Sequence, residues 1–287
     1  MVTIDAGIDD TVTERLQRRS GTLLWLSAAW IVLVVAAALL ADLLPLPSPT
    51  DMDMLGRRMP PDATHWLGTD GLGRDMLSRI VFGARTSLTV GVVSPLVGLV
   101  LGGALGMLAG YFRGRFEGFV VGIMDALLAF PPLVLALAIT AYVGQSVFNL
   151  TMVIGFLSIP PFARVARAMT LSLSRREFVT AARALGATHA RILSRELFPN
   201  VLLPLVAFFL LAVAVTIVVE GALSLLGLGV PPPQPSWGSM IGEARDSLDI
   251  APRLAFLPAG VMFMTVLSFN LVGDALRVIT DPRQAAP

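Results

Sequence analysis

Side chains able to do covalent or metal chemistry are scarce in this chain of 287 residues. It has no cysteine, which removes disulfides, thiolate metal sites and a cysteine nucleophile together. It has no lysine either, since all 21 basic residues are arginine, so it cannot build the phosphate loop of a P-loop ATPase. His65 and His189 are the only histidines and stand far apart in the sequence. They are poor material for a metal site, or for a hydrolase that pairs a nucleophile with a base. One carboxylate, Asp125, falls inside an apolar run, and an ionisable residue there is a functional candidate by default. It lies about two helical turns from the arginine-marked end of that run. A hydrogen bond to a neighbouring helix is therefore favoured over a proton relay. No catalytic or metal-binding residue is assigned.

What remains is mechanical. Glu177 to Asn200 lacks a membrane-length apolar run and sits between two such runs. Phe178, Ala181, Ala182 and Leu185 recur at i, i+3, i+4 and i+7, the stripe of an amphipathic helix. Gly186 ends this helix, because glycine adopts the left-handed C-cap geometry at little cost. Thr188 caps a second helix with Ala190, Leu193 and Leu197 on its apolar side and Arg191 and Arg195 on its polar side. Pro199 is expected to stop it. The interval reads as a helix–glycine–helix knuckle with an arginine rim, to which Arg183 also belongs.

The elements that hold this knuckle are membrane helices. A hydrophobic content of 55% and a mean hydropathy of +0.77 exceed what soluble globular chains carry. A net charge of +1 gives no reason to propose a nucleic-acid partner. Residues 1–22 read as a polar N-terminal segment. Residues 23–41 form an apolar run about long enough to cross a bilayer and longer than the core of a signal peptide, so it reads as a retained first transmembrane helix. Residues 42–85 are proline-rich and read as a solvated extracytoplasmic loop, with amphipathic Met76 to Phe82 at the interface. A core of five further crossings spans 86–276, with the knuckle loop at 170–200 and a turn-rich re-entrant or scoop-like segment at 220–255. Residues 277–287 form the tail.

Within this core Ser94, Gly98, Gly102, Gly106 and Gly110 lie four apart on one helix face. Small residues at that spacing let backbones approach in lipid, where packing drives association, and tight packing is the role assigned to them. Two proline pairs, Pro131-Pro132 and Pro160-Pro161, interrupt the third and fourth crossings. They either shape a pore wall or kink a packed helix. Six crossings put both termini on one side. Fourteen arginines fall on the side of the termini and the knuckle, and seven on the other. The positive-inside rule places the termini and the knuckle in the cytoplasm.

Several ordered stretches carry a family resemblance. Ala181-Ala182, then Gly186, then Leu197-Phe198-Pro199, resembles the EAA loop of ABC importer permeases. Thr180 stands where that signature has its glutamate, leaving Glu177, one turn earlier, as the acidic candidate; Glu196 replaces a commonly apolar residue. Leu67-Gly68-Thr69-Asp70, Gly73-Arg74-Asp75, Ser78-Arg79 and Gly83-Ala84-Arg85 resemble the C-type subunits of dipeptide, oligopeptide and nickel permeases. So do DALLAFPPLVLAL from Asp125, EGALSLLGLGVPPPQPSWGSMIGEA from Glu220, and the closing NLVGDALRVITDPR, in which Val278-Ile279 replaces a more polar pair. The resemblance runs from His65 to Arg283.

It implies an all-α type I ABC importer permease fold with six transmembrane helices in a bacterial inner membrane. It further implies a homologous second permease, two separate ATPase subunits that bind ATP and magnesium, and an extracytoplasmic solute-binding protein. This chain would need no cofactor of its own. In the mechanism so implied, ATP-driven closure of the ATPases pulls the coupling loops together and turns the path outward, and hydrolysis resets it. Peptides are the expected cargo, with nickel or another small solute as the runner-up. An ion-coupled secondary transporter fits less well, as Asp125 alone lies well inside a span and no internal repeat is evident.

Overall fold

The computed structural model describes residues 10–280, where every regular element is helical apart from one isolated pairing of Thr69 with Asp75. Met1 to Asp9 and the tail beyond Thr280, with Arg283, lie outside the described residues. Helix α1 is Asp10–Leu39. It is followed by α2 (Met76–Phe112), α3 (Gly114–Leu128), α4 (Pro132–Val143) and α5 (Val147–Leu173). Then come α6 (Glu177–Ala184), α7 (His189–Leu225), α8 (Trp237–Glu243) and α9 (Arg253–Thr280). Five of these helices are long and apolar enough to cross a membrane. The pair α3 and α4, bent by 85° at the Pro131-Pro132 break, makes a sixth span when counted as one.

The spans outrun the apolar windows of the sequence. Helix α2 has 37 residues, about 55 Å of helix against a hydrocarbon core of about 30 Å, so its ends project into polar surroundings. Met76 to Phe82 is therefore no separate interfacial segment but the first two turns of α2. Asp75 caps it by accepting from the Ser78 N–H at 2.7 Å. The polar residues in those turns are tolerated because the preceding loop folds back to meet them. Ser78 Oγ donates to the Pro47 carbonyl, and Arg79 reaches Asp70 and Glu243. Nor is the end of the 42–85 interval a solvated loop: Asp70, Arg74, Asp75 and Arg79 are all buried.

Proline does not end the helices where it was expected to. Helix α5 runs unbroken through Pro160-Pro161, with Pro160 buried. Helix α7 runs through Pro199 by widening into a π turn over Ile192–Leu197, where the Phe198 N–H reaches back to the Leu193 carbonyl. Such a turn makes room for a ring that lacks its own N–H. Asn200 then donates from its side chain to the Glu196 carbonyl at 2.7 Å, satisfying an acceptor in the same turn.

The core of the molecule is the seam between α2 and α5. Ser94 Oγ donates to the Thr151 carbonyl at 2.9 Å. Below it Gly98, Gly102, Gly106 and Gly110 lie directly on the α5 backbone. A Cβ added at Gly106 would collide with the Ala163 carbonyl, and one at Gly110 would stand 2.8 Å from the Arg167 carbonyl. The two helices thus form one close-packed body. Helix α8 is wedged against α2, α7 and α9 at the opposite end from the knuckle, with Trp237 fully buried.

Candidate functional site

The knuckle is α6, a turn at Gly186, and the first turns of α7. Gly186 has φ +80°, in the left-handed region that disfavours any side chain, and a Cβ there would meet nothing within 4 Å. Its role is conformational, not one of space. The Ala187 N–H reaches back to the Ala182 carbonyl, and Thr188 Oγ1 accepts from the Arg191 N–H at 3.4 Å to start α7.

Helix α6 turns two faces to different surroundings. Val179 is fully buried with Tyr111, Ile192 and Leu197, and Ala182 packs half-buried on that cluster. Phe178, Ala181 and Leu185 point outward, Leu185 with 89% of its surface exposed. Ala182 therefore stands at the border of the stripe, packed on the inner cluster and still lining the outer concavity, while the other three are exposed. All four, with Gly186, Thr188 and Arg191, line an open concavity of about 610 Å³. Its wall is apolar, and Arg191 and Glu196 supply charge to its lining. Glu177 is exposed in the first turn of α6, where a carboxylate suits the helix dipole. Arg183 lies over the Tyr111 ring, 5.5 Å from its centroid.

Three residues that fix this site carried no signal in the sequence reading. Tyr111, near the end of α2, is joined through its hydroxyl to His189 Nδ1 at 2.7 Å, and Val179 fills the space beneath. Val179 and Ala182 share an i, i+3 spacing, which could have flagged the inner face. Nothing local pairs Tyr111 with a histidine 78 positions away.

Asp125 sits near the end of α3 and pairs with Arg164 of α5 at 2.6 Å, both more than half exposed. A second pair, Glu117 with Arg167, ties the same two helices. Among the described residues no group of three or more His, Asp or Glu side chains is placed to hold a metal. The buried carboxylate that sequence reading passed over is Glu220 of α7. It is fully buried and accepts from the hydroxyls of Ser87, Ser224 and Ser236, at 3.2, 2.8 and 2.7 Å.

The described residues thus form a helical body with five or six candidate membrane spans, and the knuckle between α5 and α7 presents an open concavity. Residues 102–286 match the model for "binding-protein-dependent transport system inner membrane component". The chain belongs to that family. Members of it are permease subunits of ABC importers, and this chain is such a subunit, a multi-pass membrane protein. It is 41% identical over 255 residues to the glutathione transport system permease protein GsiD of Pectobacterium atrosepticum, covering 88% of this chain and 85% of that one. The GsiD protein of Escherichia coli O6:K15:H31 is 39% identical over 258 residues, covering 90% and 85%. In fold the chain resembles the MetNI methionine ABC transporter in an inward-facing conformation, with a TM-score of 0.60. At 18% identity, and over 72% of this chain and 98% of that one, this likeness shows the type I importer permease fold alone.

Proposed function

We propose that this permease forms half of a path for small peptides across a bacterial inner membrane and is driven through the 177–200 knuckle. The observation that carries the coupling reading is the outward face of α6. Phe178, Ala181 and Leu185 line an open concavity beside Gly186, on the arginine-rich side of the molecule. Exposed apolar surface framed by charge marks a protein contact. An ATPase subunit is the partner that an importer requires on that side, and it supplies the ATP and magnesium that this chain has no lysine-bearing loop to bind. The proposal therefore gives the chain no catalytic role and no cofactor, and pairs it with a homologous second permease, two ATPases and an extracytoplasmic binding protein. The substrate class rests on the likeness over most of the chain to permeases named for glutathione, a small peptide.

Two measurements test this. Purification of the tagged chain in mild detergent should bring down a second permease and ATPase subunits. With Leu185→Asp the second permease should remain while the ATPases and uptake are lost, because an unpaired carboxylate would have to be buried in the contact. An inserted Leu185→Asp variant that keeps its ATPases sinks the docking reading. Proteoliposomes of the full importer should accumulate glutathione or a dipeptide on addition of ATP; accumulation of nickel and no peptide would overturn the substrate class.

A further inference from the structure

The knuckle meets α2 at its last turn, where the Tyr111 and Phe112 rings both lie against His189. Among the described residues the only side-chain hydrogen bond that joins residues 177–197 to another membrane-crossing helix is the one between Tyr111 and His189. Tyr111 is also the only α2 residue in the buried cluster of Val179, Ile192 and Leu197. Tyr111 is 8% exposed, with the Arg183 guanidinium 5.5 Å from its ring centroid and the His189 ring edge-on at 5.6 Å. One aromatic side chain therefore touches both arms of the knuckle, α6 through Val179 and Arg183, and α7 through His189 and Ile192.

Tyr111 directly follows Gly110, the last glycine of the close-packed seam, so it is anchored in the rigid α2–α5 body and not in a mobile tip. We propose that Tyr111 is the joint through which displacement of the knuckle is passed to the α2–α5 body. It is a positioning residue for transport, and touches neither cargo nor nucleotide. A packed seam without room for a methyl group moves as a unit, so whatever grips its end moves all of it. Helix α3 rests on this unit through Val120 and Met124, buried against Ala109 and Ala163, and through the Glu117–Arg167 and Asp125–Arg164 pairs.

The inference rests on the docking reading above, and the experiment separates the two. The complete importer, reconstituted in proteoliposomes, is compared for wild type, Tyr111→Phe, Tyr111→Ala and His189→Ala. Retention of the ATPases, ATP hydrolysis and substrate carried per ATP are measured for each. Tyr111→Ala is expected to keep its ATPases and hydrolyse ATP while substrate carried per ATP falls at least about tenfold, because both hydrogen bond and packing are lost. Tyr111→Phe and His189→Ala, which remove the bond, should each lower that ratio about two- to tenfold, the range one net hydrogen bond supports. The double variant Tyr111→Phe with His189→Ala should be no worse than the poorer single one, since both remove the same bond. These two variants carry the test if Tyr111→Ala does not insert. A wild-type ratio in them, multiplying effects in the double variant, or loss of the ATPases would overturn the joint alone. A wild-type chain that holds no ATPase would overturn docking and joint together.

Discussion

Single side chains carry unusual weight at the end of the molecule remote from the knuckle. The Glu220 carboxylate, out of reach of solvent, gathers three serine hydroxyls from α2, α7 and the start of α8. Ser87 in turn accepts from the Trp237 N–H at 3.1 Å, and the Trp237 indole donates to the Ile80 carbonyl at 3.1 Å. Each buried donor left without a partner costs about 1–3 kcal/mol. Glu220→Ala should thus lower stability by several of these increments and free α8 from α7, while Glu220→Gln, which keeps one acceptor, should lose less. Thermal melting in detergent checks the order; equal melting of the two variants would remove the carboxylate from this role. At the other end of α8, Glu243 accepts from both Arg74 and Arg79, while Asp70 accepts from Arg74 and is ion-paired with Arg79 at 3.3 Å. Removing one member of a buried ionic group leaves an uncompensated charge at about 3–5 kcal/mol, discounted here because Glu243 is about a third exposed. Glu243→Ala should therefore destabilise clearly, though by less than that range, as read by melting of the purified permease.

Between elements, the decisive contact is backbone against backbone. The α2–α5 seam has no room for side chains at Gly102 or Gly106, so even a methyl group must separate the helices. Gly106→Leu should lower the melting temperature and the yield of assembled permease, with Gly102→Leu behaving alike; two variants that assemble and melt as wild type would show the seam to be dispensable. The turn at Gly186 answers to a different rule. A side chain there meets open space but must adopt a positive φ, a strain of about 1–2 kcal/mol for an ordinary residue and more when it is β-branched. Gly186→Val should leave insertion intact and impair ATP-driven uptake by tilting α6. Normal uptake at unchanged expression would refute this.

For the whole molecule, the docking proposed for α6 brings force in through its outward half, and the half-buried position of Ala182 selects the substitution that tests it. Ala182 packs on Val179 within this chain, so an aspartate there would disturb the permease and the docked ATPase alike. Leu185 and Ala181 are free of that ambiguity. Ala181→Asp is expected to reproduce the loss of ATPases predicted for Leu185→Asp with the permease itself unaffected. A melting curve shifted as far as that of Ala182→Asp would show that the outer face also packs internally.

Much of this was legible without coordinates. The lack of lysine and cysteine, the apolar runs, the glycine spacing of four and the arginine asymmetry depend on residue type and local order, and these define a helical membrane subunit with one large basic loop. The turn at Gly186 and the cap at Thr188 are equally local, since each is satisfied within a few residues. Periodicity also marks α6 as amphipathic, but an eight-residue helix of mostly small and apolar residues offers more than one apolar face, and a neighbour chooses between them. That neighbour is Tyr111, brought from another helix, and it takes Val179 and Ala182 instead of Phe178. Likewise the third crossing bends and the fourth does not, although both carry a proline pair. Helix α5 is gripped along its length by α2, whereas α3 packs on that pair only before the break, through Val120, Met124 and two ion pairs. Apart from Ser224, one turn from Glu220 on the same helix, the partners of Glu220, Arg79 and Tyr111 come from positions between 9 and 164 residues away, and only the folded chain brings such groups together.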